Sequence, residues 1–513
     1  MRVAVTGGLI ADGTGSELVP GTVLVEGERI TALLPPGEPV ADAEVIDATG
    51  NIVAPGFVDL HSHADFSLGA SPAAESQLAQ GVTTLVAGNC GWSPFPITDL
   101  ETLRAGTAFL DPLHDWSWND LAGFAATLQP AVNLALQVGH CTLRIAAMGS
   151  AKRPPSPEEL RTMQDLLRAA ADQGAVGFST GLIYAPGAYA SPEEVAALVA
   201  TAAECGLLYS THIRNEGAGL LAALDEAIAA ARAGGARLEI SHLKAVGKSN
   251  YGLVDGALEH LEQVDDVDLG WDAYPYTATS TTLTTRLPTW ALAGGALLDR
   301  LADPAERARI AEALRADDLL SPDSVVIASL PPGRYEDSRG LSLTEIAQRD
   351  GVDAAEIVLR ILESHQAAVS VVNHAMSEDD VTTVLEHPRT AVASDGWIMD
   401  ATGPGHPHPR NFGTFPRALG HYTRDRGILT LPEAIRRMTS LPATRLGLSD
   451  RGVIKPGAIA DLTVLDADSI ADKSTYDNPW QLSVGINHVL VAGQLALTKA
   501  KPTGHRPGRI IGL

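Results

Sequence analysis

Hydrophobic positions along the chain fall into two textures. Through the first fifty residues the apolar runs are short and broken by Gly and Pro, as in "RVAVTGGLI", "GTVLVEGERITAL" and "AEVIDATGNIVAPG". That rhythm predicts the closely spaced strands of a small β-sandwich. It returns near the end in "GVIKPGAIADLTVLDAD" and "INHVLVAGQLAL". The two ends, residues 1–54 and 446–513, are therefore expected to pair as one discontinuous β-domain.

Between residues 55 and 445 apolar strands alternate with Ala/Leu-rich helical stretches. The strand candidates are "GFVDLH", "VTTLVAGN", "VNLALQVGH", "AVGFST", "LLYSTHI", "RLEISHL", "LGWDAYPY" and "TAVASDG". "SPEEVAALVATAAECG", Ser191 to Gly206, reads as a helix opened by a Ser-x-x-Glu capping box, and "GLLAALDEAIAAARAGG" as another helix. Eight strands with helical crossovers predict an α/β fold, a parallel barrel rather than an open doubly wound sheet. "VVIASL" and "VSVVNHAM" are two strand candidates too many for that count. A helical, charged surplus at residues 287–351, with a "PPGRYEDSRG" loop, is expected to be an inserted lid or subdomain. Its run "ADPAERARIAEALRADD" reads as a solvated helix face.

Composition narrows the class. The chain has 513 residues, 45% of them hydrophobic and 19% charged, which is globular. A formal net charge of −25 leaves no basic surface for a general nucleic-acid partner. No apolar run reaches the ~18 residues of a membrane span. "MRVAVTGGLIADGTG" lacks the apolar segment and cleavage site of a secretory signal. The scattered cysteines Cys90, Cys141 and Cys205 make no disulfide framework. The expectation is a cytoplasmic protein with no nucleic-acid or membrane partner.

Barrel enzymes place their chemistry on the loops that follow the strands. Here the strand ends carry His61-Ser62-His63, Asn89-Cys90-Gly91, Gly139-His140, Thr211-His212, Ser241-His242 and Ser394-Asp395-Gly396. A single strand-end histidine is commonly structural. Five histidines, a cysteine and an aspartate at one rim are hard to attribute to packing, and they are the ligand chemistry of zinc. In His-x-His on a strand both rings share a face, because side chains repeat every second residue.

With those residues in view, the chain resembles the amidohydrolase superfamily, and within it the D-aminoacylase (N-acyl-D-amino-acid deacylase) family. The segments that carry the resemblance are "PGFVDLHSHADF", "GNCGWSPFP", "GFSTGLIYAPGAYAS", "YSTHIRNEG", "ISHLKAVGK", "DAYPYTATST", "SDGWIMD" and "HPHPRNFGTFPR". The resemblance implies a (β/α)8 TIM-like metal-dependent hydrolase barrel with a terminal β-sandwich. It also implies that Cys90, His212 and His242 hold a tight zinc, and that His61 and His63 form a second, weaker metal position. Asp395 and Cys90 would lie near both, with Asp395 also the catalytic carboxylate. Many relatives use a carboxylated lysine after strand four; "GFSTGLIYAP" has none, and the Cys90 thiolate would supply the missing charge.

Lys244, Tyr276 and Arg410 look like a clamp for a substrate carboxylate, since guanidinium grips such a group with two parallel hydrogen bonds. Tyr274 is a rival for the place of Tyr276, and Arg417 for that of Arg410. Glu216 is a position from which a ligand can be oriented. His374 reads as structural, His488 as a sandwich residue, and Cys141 and Cys205 as buried filler. The implied activity is zinc-dependent hydrolysis of N-acyl-D-amino acids, small-molecule substrates, to a carboxylate and a free D-amino acid. In it Asp395 passes a proton from water to the leaving nitrogen. Hydrolysis of cyclic imides, hydantoins or dipeptides is the nearest alternative, and a silent interaction protein of the same fold another. A homo-oligomer is compatible with either.

Overall fold

A computed structural model describes residues 2–110 and 115–513. Both chain ends enter one continuous nine-stranded sheet. Arg2–Ile10, Val19–Glu26 and Arg29–Leu34 run antiparallel in sequence order, and Glu44–Asp47 adds parallel to the first. Ile52–Pro55 then pairs antiparallel with Leu462–Leu465, with Ile52 opposite Leu465 and Pro55 opposite Leu462. Ile486–Val491 and Gln494–Thr498 continue the sheet. The expected sandwich is thus a single sheet that curls around its own core of Val3, Val23, Ile30, Val53, Leu462 and Leu490. An Arg29–Ile459 bridge ties the third strand to the segment that leads into Leu462–Leu465.

The second nine-stranded sheet holds the eight parallel strands of the barrel. They are Phe57–Asp59, Val82–Ala87, Asn133–Gly139, Gly177–Gly181, Leu208–His212, Leu238–Ile240, Leu269–Ala273 and Thr390–Val392. All eight are buried along their whole length. That is why they read as continuous apolar runs and not as an alternation. The seam between the first and last strands closes at their C-terminal ends. A Ser62–Gly396 bridge joins them, Asp395 N donates to His61 O at 2.8 Å, and His63 N donates to Gly396 O at 2.8 Å. Just inside, the buried Asp59 carboxylate accepts from Ser394 N at 2.9 Å and Ser394 Oγ at 2.5 Å. The seam therefore brings the His61-x-His63 pair and Asp395 side by side.

Two elements depart from expectation. "VVIASL" and "VSVVNHAM" stand outside the barrel. Their strands, Val325–Ser329 and Ser370–Asn373, join Thr279–Thr282 in a separate three-stranded antiparallel sheet. This sheet and its helices have their own core, including Leu283, Ile310, Ile327, Ile357 and Val371. The three strands lie on both sides of residues 287–351, from Thr279 to Asn373. Second, the chain end leaves the terminal sheet. Ile510–Ile511 pairs parallel with Leu134–Ala135 and covers the half of the third barrel strand that Gly177–Gly181 does not reach.

The helix at Pro192–Glu204 starts at Ser191 as expected, but its capping box is half made. Ser191 accepts from Glu194 N, whereas the Glu194 carboxylate turns inward to His140 at 2.9 Å and Arg144 at 2.5 Å. Among the described residues no helix is long and apolar enough to cross a membrane.

Asp59→Ala would strand the buried Ser394 donors, each worth about 1–3 kcal/mol. Chemical unfolding should register a loss of that size; an unchanged midpoint would show that the seam does not depend on this carboxylate.

Candidate metal centre

Six strand-end residues converge at the C-terminal mouth of the barrel, all buried. They form two ligand groups that share one sulfur: Cys90, His212 and His242, and His61, His63, Cys90 and Asp395. Cys90 Sγ lies 3.4 Å from His61 Nε2, 3.6 Å from His212 Nδ1 and 3.5 Å from His242 Nε2. A tetrahedral zinc with Zn–S about 2.3 Å and Zn–N about 2.0–2.1 Å separates its sulfur and nitrogen ligands by about 3.5 Å. The donor set therefore fits such an ion in chemistry and in spacing.

Local backbone geometry aims these side chains. Cys90 (φ 53°), His242 (φ 39°) and Asp395 (φ 50°) all occupy the left-handed region, a conformation that costs non-glycine residues of order 1–3 kcal/mol each. Neighbouring contacts enforce it. Gly88, at φ 86°, lies so close to the third strand that a Cβ there would meet Gln137 O at 2.2 Å. Gly91, at φ 78°, presses on Gly181 N of the fourth strand. These two glycines explain the "GNCG" motif: they let the Cys90 loop sink between strands. His242 is held by its own backbone, whose N–H donates to Asp272 Oδ1 at 2.8 Å.

A layer of carboxylates backs the imidazoles. Asp272 Oδ2 is 3.5 Å from His61 Nδ1, the ring nitrogen facing away from Cys90. Glu216 serves two rings at once, 3.1 Å from His242 Nδ1 and 3.6 Å from His212 Nε2. This is the orientation that fixes a histidine's tautomer as a metal ligand. Burial pushes the Cys90 thiol up, but the charge of His61 and the contacts of His212, His242 and His61 hold it well below the usual thiol range. Burial likewise opposes the Asp395 carboxylate, and Arg410, His61, His63 and His242 hold it well below the carboxylate range. His63 rises to about 9, its burial outweighed by Asp395 and Cys90.

These residues line a cavity of about 220 Å³. Lys244 and Arg410 stand in its wall. Lys244 Nζ contacts Glu216 at 2.5 Å and His242 Nδ1 at 2.6 Å; Arg410 Nη1 is 2.9 Å from Asp395 Oδ2. Tyr276 is misplaced in the expected clamp. Its hydroxyl turns away to Pro409 O at 3.5 Å, and Tyr274 lines the cavity with its ring 5.0 Å from the Arg410 guanidinium. Arg417 also points elsewhere, to Pro275 O and Asp472. His140 is buried beside Glu194, outside both ligand groups, and His374 is exposed against Tyr476. Sequence reasoning missed Asp272 and Tyr184. The Tyr184 ring centroid is 5.3 Å from that of His212, and its hydroxyl is 3.0 Å from Thr281 Oγ1.

The amidohydrolase family model matches residues 44–496. The chain belongs to the amidohydrolase family. Its kinship inside that family is with the D-aminoacylases. It is 38% identical to N-acyl-D-glutamate deacylase of Alcaligenes xylosoxydans xylosoxydans over 100% of this chain and 96% of that one. It is 33% identical to D-aminoacylase of the same organism over 98% and 96%. Among solved structures, N-acyl-D-glutamate deacylase of Bordetella bronchiseptica, complexed with zinc and a phosphonate mimic of the tetrahedral intermediate, superposes with a TM-score of 0.86. That pair is 35% identical, covering 100% of this amidohydrolase and 99% of the other.

Glu216→Gln should weaken zinc retention about 10–100-fold, the range for losing a histidine-orienting group, as read by competition with a chelator. Retention equal to the parent protein would show that Glu216 does not set the ligand rings.

Proposed function

We propose that this amidohydrolase uses zinc to hydrolyse the amide bond of N-acyl-D-amino acids, releasing a carboxylate and a free D-amino acid. The observation that carries the reading is the spacing of one buried sulfur to three imidazole nitrogens, 3.4–3.6 Å. The relatives named above supply the substrate class. Cys90, His212 and His242 hold the tight zinc; His61, His63 and Asp395, sharing Cys90, offer a second and weaker position. When bound, the metal supplies Lewis acidity toward water and toward the amide carbonyl.

The chain's own residues do the rest. Asp395 is the proton carrier: it accepts a proton from the attacking water and delivers it to the departing nitrogen. Arg410 and the histidines keep it ionised, so its base form is present across the neutral range and is lost only in acid. Lys244 and Arg410 hold the substrate carboxylate, with Tyr274 beneath Arg410 in the place expected of Tyr276. Arg410 Nε is buried without a hydrogen-bond partner, which leaves a donor for an incoming carboxylate beside the Asp395 pair. With the carboxylate and the carbonyl both fixed, only one enantiomer directs its side chain into the open part of the cavity.

The corresponding domain map is a β unit from 1–54 and 446–513, a barrel over 55–445, and an inserted body widened to 279–375. A cytoplasmic location accompanies it, because an ionised thiol ligand and unpaired cysteines suit a reducing compartment.

A panel of N-acetyl-D- and N-acetyl-L-amino acids tests the reading directly: turnover confined to the D series is expected, and hydrolysis of hydantoins alone would reject it. Asp395→Asn should keep the tight zinc and lose at least about a hundredfold in kcat; near-normal turnover would reject the proton-carrier assignment. Arg410→Ala should erase the preference for a free acid over its amide, and an intact preference would place the clamp elsewhere.

A further inference from the structure

The cavity at the barrel mouth is bounded on one side by the inserted body. Thr285, Arg286, Asp317, Leu319 and Leu320 form that wall. Arg286 sits at the end of a short helical turn after the strand Thr279–Thr282. Asp317 follows the helix Pro304–Ala316 directly. It is the end of the charged run that reads as a solvated face, yet it turns inward. Its carboxylate lies 2.9 Å from Arg286 Nη2, and the same nitrogen donates to Leu320 O at 3.0 Å. The Arg286 side chain is only 9% exposed.

Charge accounting around the cavity makes this pair informative. Its other lysine and arginine side chains already face carboxylates: Arg214 with Glu226 at 2.8 Å, Lys244 with Glu216 at 2.5 Å, Arg410 with Asp395 at 2.9 Å. Arg214 is further tied to Ala188 O and Ala190 O. Lys244 and Arg410 stand at the metal ligands and are assigned above to the carboxylate common to all substrates. A second carboxylate on the substrate, as in a D-glutamyl or D-aspartyl side chain, would need a further cation beyond Lys244 and Arg410. The remaining candidate is Arg286, and Asp317 stands in the position that such a carboxylate would take. Around the pair the wall is apolar, with Val246, Leu319 and Leu320.

We propose that Asp317 is a specificity-determining residue: by occupying Arg286 it makes this wall electrically neutral, and the enzyme takes N-acyl-D-amino acids with uncharged side chains in preference to acidic ones. This rests on the deacylase reading and deepens it. It also separates the chain from the N-acyl-D-glutamate deacylases it resembles in sequence. The physical basis is exclusion as much as attraction. An acidic side chain meets a carboxylate already in place, and like-charge juxtaposition in a partly buried site is a strong discriminator.

The test compares kcat/KM of the zinc-loaded full-length enzyme for N-acetyl-D-leucine and N-acetyl-D-methionine against N-acetyl-D-glutamate and N-acetyl-D-aspartate. Wild type should favour the uncharged pair by about tenfold or more, a range one pocket contact can supply. Asp317→Asn should move the ratio toward the acidic pair by about tenfold, through a lower KM for N-acetyl-D-glutamate and not a higher kcat. Asp317→Glu should restore the wild-type ratio. A wild-type preference for the acidic substrates overturns the proposal without any variant. So does an Asp317→Asn enzyme that changes all four substrates by the same factor. An enzyme active on hydantoins and inert on all four would instead overturn the deacylase reading on which the proposal stands.

Discussion

One buried sulfur organises the mouth of this barrel. Cys90 Sγ lies within 3.6 Å of imidazole nitrogens that follow three other strands, and both ligand groups contain it. Several imidazoles in a dry site repel one another once protonated, and a metal dication would bring positive charge of its own. The thiolate and the Asp395 carboxylate supply the compensating charge, because a buried ion persists only when it is paired. In this chain the fourth strand ends in "GFSTGLIYAP", with no lysine that carboxylation could turn into an anion, and Cys90, after the second strand, is the thiol at the mouth.

The fold spends backbone strain to place that sulfur and its partners. Three of the six residues at the mouth adopt left-handed backbone conformations. The surrounding packing holds them there: a glycine-flanked loop pressed against the third and fourth strands, and a barrel seam stitched by Asp59 and Ser394. Behind these residues, Glu216 lies 3.1 Å from His242 Nδ1, and the Asp272 and Glu216 carboxylates face His61 Nδ1 and His212 Nε2 at 3.5 and 3.6 Å. Ligands set in advance in this way need little reorganisation when a metal or substrate arrives. The Ile510–Ile511 strand acts further off, pairing with the part of the third barrel strand that its neighbour leaves open.

Much of this was legible in the chain. Eight apolar runs marked the eight strands, and most of their polar endings marked residues that meet at the mouth, because fully buried strands and strand-end chemistry both leave local signals. What escaped depends on partners distant in sequence. Asp59 and Asp272 sit inside "FVDL" and "GWDA", where a lone carboxylate reads as an ordinary polar position; only the closed barrel reveals that each is buried against a ligand strand. Tyr274 and Tyr276 are separated by one proline, and period-two reasoning fails across it, so the choice between them fell to packing. Glu194 looked like the second half of a capping box, but a buried arginine and a buried imidazole drew it away. The separate three-stranded sheet was not legible because its strands come from both sides of the charged segment.

The role of the Cys90 sulfur as a metal ligand is most directly read by X-ray absorption at the zinc edge of the purified enzyme carrying one equivalent of metal. The spectrum should require one sulfur at about 2.3 Å together with nitrogen or oxygen neighbours at about 2.0–2.2 Å. A first shell fitted by nitrogen and oxygen alone would contradict a centre built on that thiolate.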